Sequence, residues 1–384
     1  MRVAVVSRIY RPEPAAASFW LASVVEILTE RGHDVDVLTS ALPRGGSDPA
    51  PGAERVLRFP VLRDRSGYVR GYLPYLSFDV PLAFRLLFLR RPSVVLVEPP
   101  PTTGAVVRVV CALRRIPYVY DAADVWSDAA DMATASGTVV RVLRAVERFA
   151  MNGAARLVTI SQGVVDRVSA LGVHVPATVT GFGADTSAFT VGDAATEPLF
   201  VYAGSYSAWH GADVLVPAFA EFLASHPGYT LRFIGNGTER EEIERQADEH
   251  GVSDSIQFLD PVPPEKLTPH LDAAVASMAT LKPGTGYDYA FTSKAYSSLA
   301  AGCPVIFAGS GPTGPFLETA SAHVRAGAAL PHEASAIAEA MRRFADEPLT
   351  PAERTALGAW TAREHSMSAV ARRVADIIEK TGAS

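Results

Sequence analysis

Short runs of β-branched and apolar residues alternate with longer helical stretches along the chain. In the first forty residues, strands at 3–7 and 35–39 flank a helix from about 16 to 31. Gly32 follows this helix where its last turn needs a residue with positive φ. Further strand patterns occur at 93–97, 118–121 and 157–161. This alternation of strands and helices predicts a parallel, doubly wound sheet.

The same alternation begins again near Leu199. Strands are predicted at 199–203, 231–234, 256–259, 274–277 and 305–308. The segment 186–198 contains few large apolar residues and separates the two arrays. We therefore predict two Rossmann-like domains, residues 1–190 and residues 191–366.

The composition is typical of a globular protein, with 48% hydrophobic and 20% charged residues in a chain of 384. The formal net charge of -6 argues against nucleic acid as a partner. Cys111 and Cys303 lie far apart and lack metal-ligand spacing, so no metal site is expected. No apolar run reaches the roughly 18 residues of a membrane span, which predicts a cytoplasmic location. The arginine-rich apolar run 84–91 leaves a peripheral contact with the inner face of a membrane open.

Candidate ligand-binding turns follow the first strands of the second array, because open parallel sheets bind ligands beyond the carboxyl ends of their strands. One turn is bounded by Gly204 and Gly211 and contains His210, and its backbone N–H groups suit a phosphate. The next turn contains Gly235 and Gly237, which could bring the backbone close to a nucleobase. Plain turn geometry explains these glycines equally well, and both interpretations stay open.

Lys294 is a further candidate for phosphate binding. It occupies the first turn of a predicted helix, where the helix dipole disfavours a cation unless an anion lies nearby.

Carboxylates follow two strands of the first array. Asp121 and Asp124 end one strand, with Trp126 close behind, and Glu98 ends another strand before a helix begins. The two aspartates could hold an acceptor hydroxyl, act as a base or cap the turn, and these alternatives stay open. Glu98 and Trp126 are predicted to contact an acceptor.

The turn after the first strand lacks a glycine-rich dinucleotide motif. Ala17 and Ser18 lie in the segment where Gly-x-Gly-x-x-Gly would stand, which disfavours an NAD-linked dehydrogenase, and we assign both residues to the acceptor site. The chain also lacks the Gly-x-Ser-x-Gly, His-Glu-x-x-His and Walker lysine motifs. Hydrolase, zinc-protease and P-loop interpretations therefore lack support.

Several ordered motifs resemble one family over nearly the whole chain. They are Tyr10-Arg-Pro-Glu13, Arg31-Gly-His-Asp-Val35, Asp124-Val-Trp126, Thr159-Ile-Ser161, Gly181-Phe-Gly-Ala-Asp-Thr186, Tyr202-Ala-Gly-Ser205, Phe233-Ile-Gly-Asn-Gly237 and Ser293-Lys-Ala-Tyr296. In these motifs the chain resembles the GT-B glycosyltransferases of family 4, nearest to the bacterial cell-envelope and colanic-acid-type branch.

That resemblance implies an α/β GT-B fold, in which two Rossmann-like domains face each other across a cleft and the helix 367–384 packs back on the first domain. It also implies retaining, metal-independent transfer from a nucleoside diphosphate sugar, with UDP or GDP as the nucleotide and no further cofactor. The acceptor would bind the first domain and the diphosphate of the donor the second, at Gly204, Ser205, His210 and Lys294.

The chain departs from the family pattern at the donor site. Ser205 and His210 stand where members usually carry an arginine and a lysine. Tyr289 and Ser297 stand where members carry two glutamates. Asp288 or Tyr289 is expected to contact the sugar and Ser297 the ribose, and the weaker neutral hydrogen bonds suggest an unusual donor sugar. If His210 binds phosphate as a cation, donor affinity should fall as the pH rises through about 6.5.

These observations favour transfer to a small molecule, such as a natural product, a thiol or an aminocyclitol-like compound, or to a lipid-linked glycan. One alternative is a non-catalytic protein that binds a sugar nucleotide or a partner transferase, because the paired glutamates are missing. Another is an epimerase that acts on the sugar nucleotide itself. The sequence also leaves a homodimer open.

Overall fold

Two parallel β-sheets form the protein. A computed structural model describes residues 1–13, 15–43, 52–64, 69, 72–128 and 136–383. Contacts divide the chain into a first unit, Met1–Gly181 with Val370–Ser384, and a second unit, Phe182–Ala369. The predicted α/β class with two Rossmann-like sheets is confirmed.

The first unit contains a seven-stranded sheet. Its strands are β1 (Arg2–Val6), β2 (Asp34–Ser40), β3 (Arg55–Phe59), β4 (Val94–Val97), β5 (Tyr118–Ala122), β6 (Arg156–Thr159) and β7 (Ala177–Val179). The connecting helices are α1 (Ala16–Glu30), α2 (Tyr72–Phe88), α3 (Pro101–Arg114), α4 (Gly137–Asn152) and α5 (Gln162–Ala170). The strand order is β3-β2-β1-β4-β5-β6-β7, and every pair is parallel. As predicted, α1 is followed by Gly32 with a φ of 78°.

The second unit repeats this plan with six strands. They are β8 (Leu199–Ala203), β9 (Thr230–Ile234), β10 (Ile256–Leu259), β11 (Ala276–Leu281), β12 (Val305–Gly309) and β13 (Gly327–Leu330). Its helices are α6 (Leu215–Leu223), α7 (Arg240–Glu249), α8 (Pro264–Ala273), α9 (Lys294–Ala300), α10 (Thr313–Ser321), α11 (Ala334–Asp346) and α12 (Pro351–His365). The order β10-β9-β8-β11-β12-β13 is again wholly parallel.

The last helix, α13 (Met367–Gly382), packs mainly in the first unit. Its Val370, Val374 and Ile378 recur every four residues and are fully buried. They belong to the same hydrophobic core as Leu21 and Val24 of α1. A stripe with this spacing is the apolar face of an amphipathic helix, and it anchors the chain end in the first core.

Three observed strands were not predicted, and all three lie at sheet edges. β3 and β7 are the two edges of the first sheet, and β13 is one edge of the second. Most residues of these strands are only half-buried. They therefore lack the continuous apolar run by which a central parallel strand is recognised.

In each sheet the strand order reverses between two neighbours, β1 and β4 in the first and β8 and β11 in the second. Loops on either side of such a point lead away from each other and leave a crevice beyond the carboxyl ends of the strands. Of the predicted site residues, Glu98, Gly204 and Lys294 follow strands at these two points. Asp121 and Asp124 follow the neighbouring strand β5, and Gly235 follows β9.

Candidate functional site

Three carboxyl groups meet beyond the ends of β4 and β5. Glu98 directly follows β4, Asp121 lies near the end of β5, and Asp124 lies in the turn after it. Because β4 and β5 are parallel neighbours, their ends bring these side chains to one edge of the sheet. The Nε1–H of Trp20 in α1 donates to Oδ2 of Asp121 over 2.9 Å and fixes that carboxyl group.

Burial raises the pKa of all three carboxyl groups. It raises the pKa of Glu98 to about 7, with further contributions from the charges of Asp121 and Asp124. It raises the pKa of Asp121 to about 6, although the Trp20 hydrogen bond opposes the rise. The surrounding protein also raises the pKa of Asp124, even though part of this side chain is exposed to solvent. Near neutral pH the cluster can therefore exchange protons, as general acids and bases do.

The hydrogen bond from Ser7 opposes the rise in the pKa of Glu98. Ser7 Oγ lies 2.8 Å from the carbonyl oxygen of Ile9 and 2.8 Å from Oε2 of Glu98. A serine hydroxyl has only one proton to donate. When this proton points to Oε2 of Glu98, it stabilises the ionised carboxylate and lowers the pKa of Glu98, although burial outweighs this effect.

Glu147 positions Trp126, and the sequence analysis missed it. This glutamate is fully buried in α4, and its carboxylate accepts from the Trp126 N–H at 2.8 Å. It also accepts from the N–H of Ser127 at 3.3 Å and from its hydroxyl at 2.7 Å. Its position in the helix could have identified it, because Glu147 shares the buried face of α4 with Val140 and Met151.

Arg8 supplies the positive charge at this site. Its side chain is buried, and Nη1 donates to the Val69 carbonyl at 2.8 Å. The guanidinium lies 4.2 Å from the ring centroid of Tyr75 and 5.7 Å from that of Trp126. Such cation–π contacts hold an arginine in place without a carboxylate. Arg8 lowers the pKa of Glu98 and so partly offsets the effect of burial.

The predicted acceptor residues Ala17 and Ser18 lie in the first turn of α1. Ala17 is half-buried and Ser18 is fully buried. Within the described part of the chain, Ser18 Oγ has no hydrogen-bond partner. Trp20, two residues further on, contacts Asp121, so the start of α1 lies beside the carboxyl cluster.

In the second unit, Lys294 is a cation without an acidic partner. It begins α9 and is half-buried, and its Nζ donates to the Tyr202 hydroxyl at 3.0 Å. No carboxylate of the described residues forms an ion pair with it, and burial lowers its pKa to about 7. A buried cation of this kind is stabilised by any anion that binds beside it.

His210 lies close to Lys294 as a neutral ring. Its Nδ1 accepts the backbone N–H of Ser207 at 3.2 Å, so the neutral ring carries its proton on Nε2. Burial and the charge of Lys294 lower its pKa to about 3. At neutral pH, His210 is therefore a hydrogen-bond donor through Nε2 and not a cation.

The glycines of the two predicted turns allow a close approach between backbones. A Cβ on Gly235 would lie 2.1 Å from the carbonyl oxygen of Gly204, and one on Gly237 would lie 2.3 Å from that of Tyr206. Gly204 has a φ of 127°, and a Cβ there would meet Cε of Lys294 at 3.1 Å. Packing between the turns accounts for Gly235 and Gly237, whereas Gly204 also makes room for Lys294.

Asp288 and Tyr289 lie in the loop before α9. Oδ1 of Asp288 accepts from the Gly284 N–H at 2.9 Å and from the Ser310 hydroxyl at 2.7 Å. Burial opposes the ionised form, but these hydrogen bonds outweigh it and lower the pKa of Asp288. Tyr289 stacks on Tyr287 with ring centroids 5.8 Å apart. Asp288 thus holds the shape of the loop that presents the two tyrosines.

Ser205 and Ser297 belong to the two segments that surround Lys294, the turn after β8 and helix α9. Ser205 is exposed, and its carbonyl accepts from the Tyr202 hydroxyl at 2.9 Å. Ser297 is half-buried, three residues after Lys294 on α9. Tyr202 therefore connects the turn after β8 with Lys294, and sequence analysis missed it because a tyrosine in a buried strand is typical of a core.

The two sites have opposite chemistry. The carboxyl cluster of the first unit can orient a hydroxyl group and accept its proton. The Lys294 site of the second unit can bind an anion. In the part of the chain that the structure describes, no three His, Cys, Asp or Glu side chains are grouped so that they could hold a metal ion.

Both units of the chain match known protein families. Residues 20–183 match the glycosyl transferase 4-like domain, and residues 185–359 match the glycosyl transferases group 1 family. The chain combines a glycosyl transferase 4-like domain with a glycosyl transferases group 1 domain. The carboxyl cluster lies in the glycosyl transferase 4-like domain and Lys294 in the group 1 domain.

Curated relatives match a smaller part of the two-domain chain. The D-inositol 3-phosphate glycosyltransferase of Acidothermus cellulolyticus is 29% identical in an alignment of 145 positions that covers 33% of this chain and 31% of that protein. The chain thus matches about a third of the length of this relative.

Solved structures share the fold along the whole length of both domains. Sucrose-phosphate synthase from Thermosynechococcus elongatus superimposes with a TM-score of 0.70 at 18% identity, covering 100% of this chain and 99% of that one. HepE of Anabaena, solved in complex with UDP, gives 0.71 at 15% identity, covering 99% and 100%. At these identities the likeness shows the fold, and it confirms the predicted GT-B class.

Proposed function

We propose that this protein is a retaining glycosyltransferase, which moves a sugar from a nucleoside diphosphate sugar to a hydroxyl group of a small-molecule or lipid-linked acceptor. The observation that carries the proposal is the half-buried Lys294, which has no acidic partner among the described residues and lies at the strand-order reversal of the group 1 domain. We propose UDP or GDP as the nucleotide and no additional cofactor.

The diphosphate of the donor is the negatively charged partner that Lys294 does not have among the described residues. As the glycosidic bond to the diphosphate breaks, negative charge grows on the leaving phosphate, and a fixed cation stabilises it. Lys294 is held in place before the donor binds, because Tyr202 accepts its hydrogen bond at 3.0 Å. UDP, which is present in the crystal structure of HepE, is the first nucleotide to test.

His210 contributes a hydrogen bond and not a charge. The Ser207 N–H occupies Nδ1, so the free Nε2–H is the group that can donate to a phosphate oxygen. This role replaces the titrating cation expected from the sequence. The positive charge of Lys294 and the hydrogen bond from His210 then take over what an arginine and a lysine do in the family that the chain resembles.

The acceptor is a hydroxyl-rich molecule that is neutral or carries an amino group. Glu98, Asp121 and Asp124 form a site that repels phosphate when they are ionised. A phosphorylated acceptor, as named for the inositol 3-phosphate enzyme, is therefore disfavoured here. Asp124, which is exposed, would orient the acceptor hydroxyl, while Trp126 and the start of α1 would contact its rings.

The test begins with calorimetric titration of the purified protein with UDP, GDP, ADP, CDP and TDP. One nucleotide should bind clearly, and Lys294→Ala should weaken it about 30-fold, since hydrogen bonds to charged groups contribute roughly 1.5–3 kcal/mol. Lys266→Ala, an exposed lysine on α8, is the matched control and should bind like the unaltered protein.

The second step supplies donor sugars of that nucleotide with acceptor mixtures and follows the product by mass spectrometry and by the anomeric coupling in NMR. A product that keeps the donor's anomeric configuration supports the proposal. Binding without turnover of any donor would instead identify a non-catalytic sugar-nucleotide-binding protein, which the neutral Tyr289 and Ser297 keep as the second candidate.

A further inference from the structure

Helix α2 of the first unit is apolar on two opposite faces. Phe78, Leu82 and Leu86 recur every four residues and are fully buried against the unit. A second set of large apolar side chains is exposed, and we call it the α2 stripe: Leu73, Leu76, Val80, Phe84, Leu87 and Phe88. Leu73 is 69% exposed, Phe84 61% and Phe88 79%.

The spacing of the α2 stripe places its side chains on one face. With about 100° of rotation per residue, the six positions fall within roughly a third of the helix circumference, opposite the buried set. A soluble helix normally has charged residues on its outer face. An exposed row of six large apolar residues is instead typical of a surface that another phase or molecule covers.

The exposed charged residues of α2 and of the turn that follows it are all positive. Between residues 72 and 91 the sole acidic residue is Asp79, which is buried and accepts the Thr103 hydroxyl at 2.6 Å. Arg85, Arg90 and Arg91 are exposed, and no carboxylate of the described residues forms an ion pair with them. The stripe is therefore bordered by uncompensated positive charge, although the whole chain has a net charge of -6.

A groove of about 620 Å³ lies at the end of the stripe. Arg2, Arg55, Arg85, Arg90 and Phe88 line it, and we call it the arginine groove. Asp34 and Asp36, which also line it, pair with Arg2 at 3.5 Å and with Arg55 at 2.7 Å. These two pairs leave Arg85 and Arg90 to bind an added anion beside the exposed ring of Phe88.

We propose that the α2 stripe and the arginine groove dock on the surface of an anionic phospholipid bilayer. Apolar side chains enter the boundary of the acyl chains, while arginines beside them reach the phosphate layer with their long side chains. Lipid phosphates match the positive border, which is the charge complementarity that a surface contact requires. Within the described residues no helix is both long and apolar enough to cross a membrane, so the contact is peripheral.

A second copy of the chain fits this face less well than lipid does. A symmetric dimer places the same patch on both partners, so the arginines of one copy would approach those of the other. Like charges brought together at an interface oppose association. The uncompensated arginines therefore favour a negatively charged partner over a self-contact.

Vesicle sedimentation tests the proposal directly. The purified protein is mixed with vesicles of phosphatidylcholine alone or with about one quarter phosphatidylglycerol. We expect binding to the anionic vesicles, at least about tenfold weaker binding to the neutral ones, and a decrease with added salt. Equal binding to both vesicle types, or to neither, would overturn the proposal.

Two double variants identify the surface. Phe84→Ser with Phe88→Ser should lower vesicle affinity about tenfold or more, since each ring loses most of its transfer free energy. Arg85→Ala with Arg90→Ala should lower it about 25-fold, or roughly fivefold for each arginine. Matched controls are Val179→Ser on β7, which is 43% exposed, and the exposed Arg372→Ala on α13.

Folding and self-association are measured on the same samples. The melting temperature and the nucleotide binding of both double variants should match those of the unaltered protein. If the phenylalanine double variant does not fold, the arginine double variant still tests the proposal. Sedimentation velocity without lipid tests the alternative that a second copy of the chain covers the α2 stripe. A dimer that forms in the unaltered protein and disappears in the phenylalanine variant would support that alternative and contradict the proposal. Vesicle binding that both double variants retain would also contradict the proposal.

Discussion

Glu98 of the carboxyl cluster and Lys294 of the second unit both lie after the fourth strand of their sheets, and the two sheets share one strand order over six strands. Burial acts on both in the same direction, toward the neutral form. It raises the pKa of Glu98 to about 7 and lowers that of Lys294 to about 7. One fold therefore yields an acidic site and a basic site, because the residues that follow the strands differ while the backbone plan does not. Four experiments test whether the two sites differ in this way.

Removing one carboxylate should abolish turnover without affecting the nucleotide. In Asp124→Asn we expect kcat to fall about 100-fold or more, because an amide cannot accept a proton from the acceptor hydroxyl. The dissociation constant of the nucleotide, from calorimetry, should stay unchanged. Asp166→Asn, an exposed aspartate on α5, is the control. If Asp124→Asn weakened the nucleotide as strongly as Lys294→Ala does, the division of tasks between the units would be wrong.

The nucleotide affinity should depend on the ionisation of Lys294. Its pKa is about 7 in the free protein, and a bound diphosphate raises it, so binding takes up a proton. Affinity should therefore fall by up to about tenfold for each pH unit between about pH 7.5 and 9. Lys294→Arg should remove this slope, since a guanidinium stays charged. His210→Gln should keep it, and a slope that vanished with His210 would reassign the proton.

Glu98→Gln should stabilise the protein at alkaline pH. The native pKa of about 7 lies above the ordinary value of 4.5, so the native state binds more protons and stability falls as the pH rises through this window. At about pH 8 the variant should melt roughly 2–4 °C higher, and at pH 4 no higher than the unaltered protein. Differential scanning calorimetry, with the exposed Glu26→Gln as control, measures the difference.

Lys294→Met should show the opposite pH dependence. The native pKa of about 7 lies below the ordinary 10.5, so the unfolded state binds more protons and stability rises with pH across this interval. Without nucleotide, the variant should melt about 2 °C higher at pH 6, and the gain should disappear toward pH 10.5. Lys266→Met should show no such trend. A variant that is less stable at pH 6 would contradict the burial of an unpaired cation.

Much of the fold could be predicted because its central strands are buried on both faces. Central strands such as β8 and β12 appear as compact apolar runs between helices. The observed bounds of β8 equal the predicted ones, and β12 is one residue longer than predicted. Three of the four edge strands, β3, β7 and β13, escape this reasoning. β13 has three small residues and no apolar pattern of its own, and it forms a strand because β12 pairs with it.

The sequence indicated the site residues that follow a strand. It did not indicate the residues that hold them in place through hydrogen bonds from distant parts of the chain. Glu98, Asp121 and Lys294 were found by their positions after strands or in a first helical turn. Trp20 and Glu147 act on that region across 101 and 21 residues of sequence, and no local pattern links them to it.

Sequence patterns were enough to predict the alternation of strands and helices, the two-sheet architecture and the chemical types gathered at the ends of the strands. They could do so because periodicity and turn residues are local properties of the chain. Tertiary structure decided the protonation behaviour of Glu98 and Lys294, the neutral tautomer of His210 and the exposure of the α2 stripe. These properties depend on burial and on partners distant in sequence, which exist only once the two cores have formed.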